Sequence, residues 1–89
     1  MYTEWLTKQI TLEQAEIDFL VQDDRISPDP VPFGFNNHHW NQLKSELQDG
    51  DELWLFSSPK KTWQNLCGRA GICIVRDGEV IKSMVTMMN

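Results

Sequence analysis

The sequence predicts an α+β fold: a three-stranded antiparallel sheet covered by two helices, with a short helix between the first two core strands. Two apolar runs flank Asp77–Gly78, which is the strongest short signal for a two-residue hairpin. A third apolar run, Glu52–Ser57, precedes Ser58–Pro59, and serine followed by proline is typical of a helix start. Apolar residues recur at helical spacing in the first half of the chain, which supplies the covering helices.

The length of 89 residues predicts one domain, residues 1–89, built around a single core. Hydrophobic residues make up 40% of the chain, and four Trp and four Phe are among them. Each aromatic side chain contributes about 2–3 kcal/mol when it is fully buried. The core therefore needs no metal ion or disulfide to be stable.

The cysteines and the hydropathy of the chain predict a cytoplasmic location. A disulfide framework would need more cysteines, so we interpret Cys67 and Cys73 as reduced, small core residues. We find no apolar run of about eighteen residues and no charged-then-apolar leader. We therefore expect neither a membrane span nor secretion.

The N-terminal elements are predicted to be an edge strand followed by a helix. Alternation over Leu6–Ile10 favours a strand, which gives the sheet a fourth member, although helical spacing also fits this region. Thr11 is the expected N-cap of the helix, and Gln14, three residues on, is placed to close a capping box. The apolar spacing continues this helix to about Asp23.

A proline-rich segment separates the two covering helices. Ser27–Pro32 holds three prolines and predicts a rigid extended loop, with Phe33 and Phe35 packed onto the core. The second helix is expected over residues 38–48. Its apolar face comprises Trp40, Leu43 and Leu47.

The strand predicted over residues 52–57 is apolar on both faces. Such a strand is buried on both sides, so we place it in the middle of the sheet. One face carries Leu53 and Leu55, and the other carries Trp54 and Phe56.

The short helix after this strand is predicted over residues 59–67. It should bury Trp63 and Leu66, and the glycine after Cys67 should stop it. Lys60 and Lys61 lie in its first turn, where positive charge opposes the helix dipole at a cost of about 0.3–1 kcal/mol each. These two cations are mild evidence for a role outside stability.

The last two strands flank the Asp77–Gly78 turn, over residues 71–76 and 79–86. Counting outward from the turn pairs Ile74 with Ile81 and Ile72 with Ser83. The three isoleucines would then share the sheet face beneath the helices.

Charge is unevenly spread along the chain. Residues 1–52 hold eleven acidic and three basic side chains, whereas residues 53–89 hold two and five, and the formal net charge is −5. This balance argues against binding to nucleic acid, which needs a concentrated basic face. Two interpretations stay open: acidic helices cover a mildly basic sheet, or an acidic face receives a basic partner.

One glycine-framed basic loop is the candidate binding site. Backbone amides and the planar fork of Arg69 can hold a carboxylate or phosphate, with Lys60 or Lys61 nearby. The alternative is structural: Gly68 ends the helix, Gly71 opens the strand, and the arginine caps carbonyls or pairs with an acidic residue.

No catalytic residue, metal ligand or cofactor site is predicted. His38 and His39 are adjacent and should point apart, whereas metal ligands on a helix stand three or four residues apart. Capping explains Ser58, and no nucleophile-elbow motif surrounds it. Cys67 lies at a predicted helix C-terminus, where the dipole disfavours a thiolate.

Four segments of the second half carry a family resemblance: Asp51–Pro59, Trp63–Gly71, Arg76–Gly78 and Met84–Asn89. On these segments the chain resembles a group of small bacterial proteins that carry no assigned activity. The resemblance covers roughly residues 50–89 and implies a bacterial, cytoplasmic origin, with no catalytic or binding residue carried over.

The function we expect is protein–protein contact by a small non-enzymatic protein, in one version as a homodimer joined through an edge strand. The apolar tail of Met84, Met87 and Met88 either finishes the last strand or presents such an edge. Two alternatives are an anionic-ligand module or minor enzyme using Gly68–Gly71, and an immunity- or antitoxin-like neutraliser of a basic toxin.

Overall fold

The computed structural model describes residues 3–22, 24–25 and 28–89, and it confirms the α+β class. The main antiparallel sheet has four strands, so Leu6–Ile10 does join the three strands predicted in the second half. A separate ribbon of two short strands was not predicted. The strands are β1 (Leu6–Ile10), β2 (Leu20–Val21), β3 (Val31–Pro32), β4 (Glu52–Ser57), β5 (Arg69–Arg76) and β6 (Glu79–Met88).

The main sheet has the strand order β1-β4-β5-β6, and β2 pairs with β3 in the ribbon. Strand β4 is central, as its two apolar faces predict, because it pairs with β1 on one side and β5 on the other. The α-helices of the described ranges are α1 (Leu12–Asp18), α2 (Asn37–Ser45) and α3 (Lys60–Gln64). In the described part of the chain, no helix has both the length and the hydropathy to cross a membrane.

Helix α1 begins as predicted but ends early. The Thr11 hydroxyl accepts the Gln14 backbone N–H at 3.1 Å, while the Gln14 side chain donates to Asp18 at 2.6 Å and not back to the cap. Only half of the capping box therefore forms. The helix stops at Asp18 because the chain after it pairs as β2 with β3. Asp23, the predicted end, lies outside the described residues, as does Ser27.

The two phenylalanines after the proline-rich segment differ in burial. Phe33 is buried as predicted, with its ring 4.6 Å from that of Phe19 and 4.7 Å from that of Trp40. Phe35 is 66% exposed, so its predicted packing onto the core is wrong. Phe33 and Gly34 both have positive φ, 62° and 54°, and this sharp turn directs the next side chain away from the core.

Helix α2 presents the predicted apolar face. Trp40 and Leu43 are 0% and 2% exposed, and Leu47 packs half-buried against the same core. The helix ends at Ser45, three residues before the predicted end. The Ser45 hydroxyl donates to the Gln42 carbonyl at 2.6 Å, and such a bond competes with the backbone ladder.

Helix α3 begins at Lys60 with Pro59 as its N-cap, so the predicted cap at Ser58 is wrong. The helix ends earlier than predicted because Leu66 takes the left-handed position that the sequence assigned to a glycine. Its φ is 59°, its N–H donates to the Trp63 carbonyl, and the Cys67 N–H donates to Thr62, which is the bond pattern of a Schellman motif. Leu66 is therefore 74% exposed and Cys67 is exposed, so placing either in the core was wrong.

The β5–β6 hairpin has the predicted turn but a shifted register. Asp77 and Gly78 both have positive φ, as a type I′ turn requires. Beyond the first two pairs, a bulge inserts Ile81, so that Ile74 faces Lys82 and Ile72 faces Met84. The predicted pairs further from the turn are therefore wrong.

The bulge also changes the core. Ile81 is 42% exposed, whereas Met84 is 7% exposed and packs with the other two isoleucines. This main core lies between the sheet and helices α1 and α2. Its buried members are Ile10, Ala15, Phe33, Trp40, Leu43, Leu53, Ile72, Ile74 and Met84.

Candidate functional site

The predicted basic residues lie at one end of the main sheet. Lys60 and Lys61 are exposed in the first turn of α3, and Arg69 is the first residue of β5. Ser58 joins the two elements, since its N–H donates to the Arg69 carbonyl at 2.8 Å and its hydroxyl accepts the Arg69 N–H at 2.9 Å. The structure thus brings the three cations to the same end, on two adjoining elements.

The loop amides that an anion would use already have partners. The Gly68 N–H donates to Asn89 Oδ1 at 2.7 Å, and the Arg69 N–H donates to Ser58. The arginine side chain donates to the Gly68 carbonyl at 2.9 Å. These bonds favour the structural interpretation of the loop, and the anion site stays a prediction.

Both glycines of the loop also have packing roles. A Cβ on Gly68 would fall 2.1 Å from the Trp63 ring, and one on Gly71 would fall 2.0 Å from the Met84 carbonyl oxygen. Such distances exclude any larger side chain without rearrangement. Close packing alone is therefore sufficient reason for a glycine at each position.

The nucleophile candidates are held by structural contacts. The Ser58 hydroxyl lies 2.6 Å from that of Thr62, and the Ser57 hydroxyl accepts the Trp63 indole N–H at 3.2 Å. Burial raises the pKa of the Cys73 thiol to about 11, which keeps it protonated near neutral pH.

The histidine pair has a geometry that the sequence did not predict. The rings of His38 and His39 contact each other, with centroids 3.9 Å apart, although adjacent helical residues were expected to point apart. Among the described residues, no group of three or more potential metal ligands comes together.

Two acidic residues of the first half, Asp51 and Glu46, form ion pairs with basic residues of the second half. Asp51 receives two bonds from Arg76, each 2.8 Å, and the arginine holds the pKa of this carboxyl down at about 2. Glu46 lies 3.2 Å from Lys82. These pairs join the acidic first half to the basic second half. They favour the interpretation in which the opposite charges of the two halves face each other within the chain.

The carboxylate of Glu16 on α1 is bound by two side chains of α2. The Trp40 indole N–H and Lys44 Nζ each donate to its carboxylate at 3.0 Å, and these bonds lower its pKa. The bond from Trp40 also satisfies the one polar atom of a fully buried indole.

The face of the main sheet that points away from α1 and α2 is apolar, and we call it the open face. At its centre Phe56, Cys73 and Val75 are 2%, 0% and 5% exposed. Half-buried neighbours screen them: Trp5, Leu6, Trp54, Val80 and Val85. All of these residues come from the strands except Trp5, which belongs to a short 3-10 turn at Thr3–Trp5.

No residue of α1, α2 or α3 belongs to this second cluster. The shortest dimension of the described chain is 17 Å between Cα atoms, which fits a sheet with one covering layer about 10 Å away. The free face of a two-layer antiparallel sheet is normally polar. The open face is therefore unusual in being apolar, and the surface that it presents to solvent consists of the half-buried residues around the buried Phe56, Cys73 and Val75.

Two charged residues stand at opposite ends of the open face. Glu52 is paired with Val75 of the open-face cluster and accepts the Trp54 indole N–H at 2.8 Å, which places it on this face. Arg69 has the same parity as Cys73 in β5. The open face thus has an acidic end, an apolar middle and a basic end.

The two edge strands of the main sheet differ in length but are both irregular. Strand β1 has five residues, a register shift after Leu6, and exposed Thr7, Lys8 and Gln9. Strand β6 has ten residues and two register shifts against β5. Bulges and charges blunt an edge against pairing with another chain.

A cleft of about 320 Å³ lies between α2 and β6. Its apolar lining comes from Leu43, Met84 and Val85, and its polar lining includes His39 and Lys82. Half of this lining belongs to the edge strand, so the cleft is open to the side of the sheet.

No known protein family, curated protein or solved structure matches this chain. In the part of the chain that the structure describes, its fold defines a class: a small two-layer α+β arrangement in which one apolar sheet face carries no helix.

Proposed function

We propose that this chain works through protein–protein contact and not through catalysis, and that the open face is the contact surface. The observation that carries the proposal is the apolar character of a sheet face that none of the described helices covers. Covering such a surface removes apolar area from water, at about 25 cal/mol for each Å² buried.

The open face is a better contact surface than the edge strands. A partner strand would have to pair with β6, where bulges at two positions interrupt a regular ladder. Contact through the open face does not require a regular ladder, and this face carries Trp5 and Trp54, a residue type enriched where proteins bind each other. We therefore favour face contact over the edge-strand version.

A basic toxin as partner has less support from the charge pattern. Asp51, Glu46 and Glu16 each form an ion pair with a cation of the same chain. Fewer acidic groups are therefore left to attract an external partner. An immunity-like role stays a prediction, as does the anionic-ligand module.

The proposal is tested by photo-crosslinking from the open face in the native host. A benzophenone amino acid replaces Trp54, and the matched control carries it at Ile17, which is 63% exposed on α1. We expect irradiation to give one discrete covalent product from position 54 and none from position 17. The absence of a product from position 54, with the protein folded, would contradict contact through this face.

A second measurement separates the anionic-ligand alternative. Inorganic phosphate and short carboxylates are titrated while the backbone amide resonances of Gly68–Gly71 are followed. Saturable shifts confined to this loop would support the ligand module, and their absence rules it out.

A further inference from the structure

We propose that the partner covering the open face is a second copy of this chain, packed face to face about a two-fold axis that crosses the strands. In this arrangement Glu52 of one copy lies against the partner's Arg69, and the reciprocal pair forms at the other end. The inference rests on the proposed function, because it assigns the occupant of the same surface.

The positions of the two charges are self-complementary. Leu55 and Ile72 face each other in the β4–β5 ladder and form one row across the two strands. Glu52 lies three residues from this row towards one end of the sheet. Arg69 lies three residues from the row towards the opposite end. A two-fold axis over the row reverses the strand direction in the second copy. It therefore brings each carboxylate over the partner's guanidinium, displaced sideways by one strand spacing of about 4.8 Å.

The apolar middle of the face is also compatible with this axis. Trp54 and Cys73 form the row on one side of the axis, and Phe56 and Gly71 form the row on the other side. The rotation places each row over the other. Cys73, Phe56 and Gly71 are buried within each chain, so the contact between the rows is made by Trp54, which is half-buried.

The proposal gives Arg69 and Glu52 a role that contacts within the chain do not supply. Arg69 makes one side-chain bond, to its neighbouring carbonyl, and Glu52 accepts one bond from an indole. A guanidinium has five donors and a carboxylate has several acceptor sites, so both retain capacity for each other. Two sheets packed this way would cross at about −30°.

A charge-reversal experiment tests the axis. We expect the wild-type chain to sediment as a dimer, with twice the monomer mass of 10.4 kDa. Glu52→Arg places two like-charged contacts at the interface, and so does Arg69→Glu. Each variant alone should therefore self-associate at least roughly tenfold more weakly than the wild type.

An equimolar mixture of the two variants should recover the dimer. In the mixed dimer both contacts again join opposite charges, so the arrangement predicts recovery without any wild-type chain. Glu13→Arg makes the same charge change on the exposed surface of α1 and should leave the dimer intact. Far-UV circular dichroism and a melting curve show that each variant is folded.

The outcomes separate this inference from the proposed function. A wild-type chain that stays monomeric at millimolar concentration overturns the proposal that the partner is a second copy. The proposal is also overturned if each variant alone loses the dimer and their mixture does not restore it. A monomeric chain that still gives a single crosslinked product of larger partner mass from position 54 keeps the proposed function and assigns the face to a different protein.

Discussion

Glycines and paired charges determine much of this structure at the scale of single residues. Gly68 lies directly beneath the Trp63 indole, whose N–H donates to Ser57 and to the Ser58 carbonyl, each at 3.2 Å. The ring is therefore held in place, and the backbone beneath it has no room for a side chain. A residue predicted as a helix stop is needed for close packing.

Gly68→Ala is expected to destabilise the protein by about 1–3 kcal/mol, because the new methyl group overpacks the space beneath the indole. The measurement is urea unfolding followed by far-UV circular dichroism. The matched background is Trp63→Leu, in which the ring is absent and the same change should cost clearly less. An equal cost in both backgrounds would show that the indole is not the cause.

The Asp51–Arg76 pair predicts a specific loss of stability in acid. The Asp51 side chain is 2% exposed, and its pKa is lowered from an ordinary 3.8 to about 2 by the arginine. A lowered folded-state pKa contributes stability that is fully present above pH 3.8 and is lost as the pH falls towards 2.

Asp51→Asn should therefore be less stable than the wild type at pH 6, and the difference should shrink between pH 4 and pH 2. Urea midpoints measured across this range provide the test, and Asp49→Asn, at an exposed aspartate two residues earlier, is the control. Parallel curves for wild type and Asp51→Asn would contradict the role of the pair.

At the scale of elements, two local backbone features set the helix ends and strand registers. Leu66 adopts a left-handed conformation, φ 59°, to end α3, and the extra residue Ile81 shifts the register of β6. Both residues are exposed, at 74% and 42%. Leu66 and Ile81 therefore determine the end of α3 and the register of β6, although neither side chain is buried in the core.

Leu66→Gly is expected to stabilise the protein by about 0.5–1 kcal/mol, since glycine adopts positive φ without the steric cost that leucine has. The midpoint of thermal or urea unfolding measures the change. Leu66→Ala removes the same exposed side chain but keeps the left-handed cost, so it should give no such gain. If Leu66→Gly left the stability unchanged or lowered it, the left-handed conformation of Leu66 would carry no steric cost.

Local signals in the sequence predicted the elements that depend on neighbouring residues. The Asp77–Gly78 turn, the Thr11 cap and the two-faced strand β4 all follow from short patterns, and the structure contains each. The bulge at Ile81 and the β2–β3 ribbon depend on contacts between distant segments, so counting from the turn or extending a helical pattern missed them.

The candidate site was missed for a related reason. Trp54, Phe56, Cys73 and Val75 share one parity along β4 and β5, and this signal was readable in the sequence. The two apolar faces of β4 predicted a central strand, and that prediction did not extend to an apolar surface on β5. The sequence predicts two covering helices, and two helices can cover one face of a sheet. An apolar pattern on the other face therefore indicates an apolar surface without a helix layer.

At the scale of the whole molecule, the described residues form one core beneath the helices and a second apolar cluster on the sheet face that carries no described helix. The first core, between the sheet and the helices, includes the largest fully buried side chain, Trp40. The second cluster is screened only by the half-buried residues at its margin. A partner on the open face would complete the second core.

Relaxation by a soluble nitroxide tests the coverage of the open face most directly. Methyl relaxation of Val80 and Val85 on this face is compared with that of Ile17 on α1, over a range of protein concentrations. We predict that the valine methyls are protected at high concentration and become accessible on dilution, while Ile17 is accessible throughout. Valine methyls that stay equally accessible at every concentration would contradict contact between two copies through the open face.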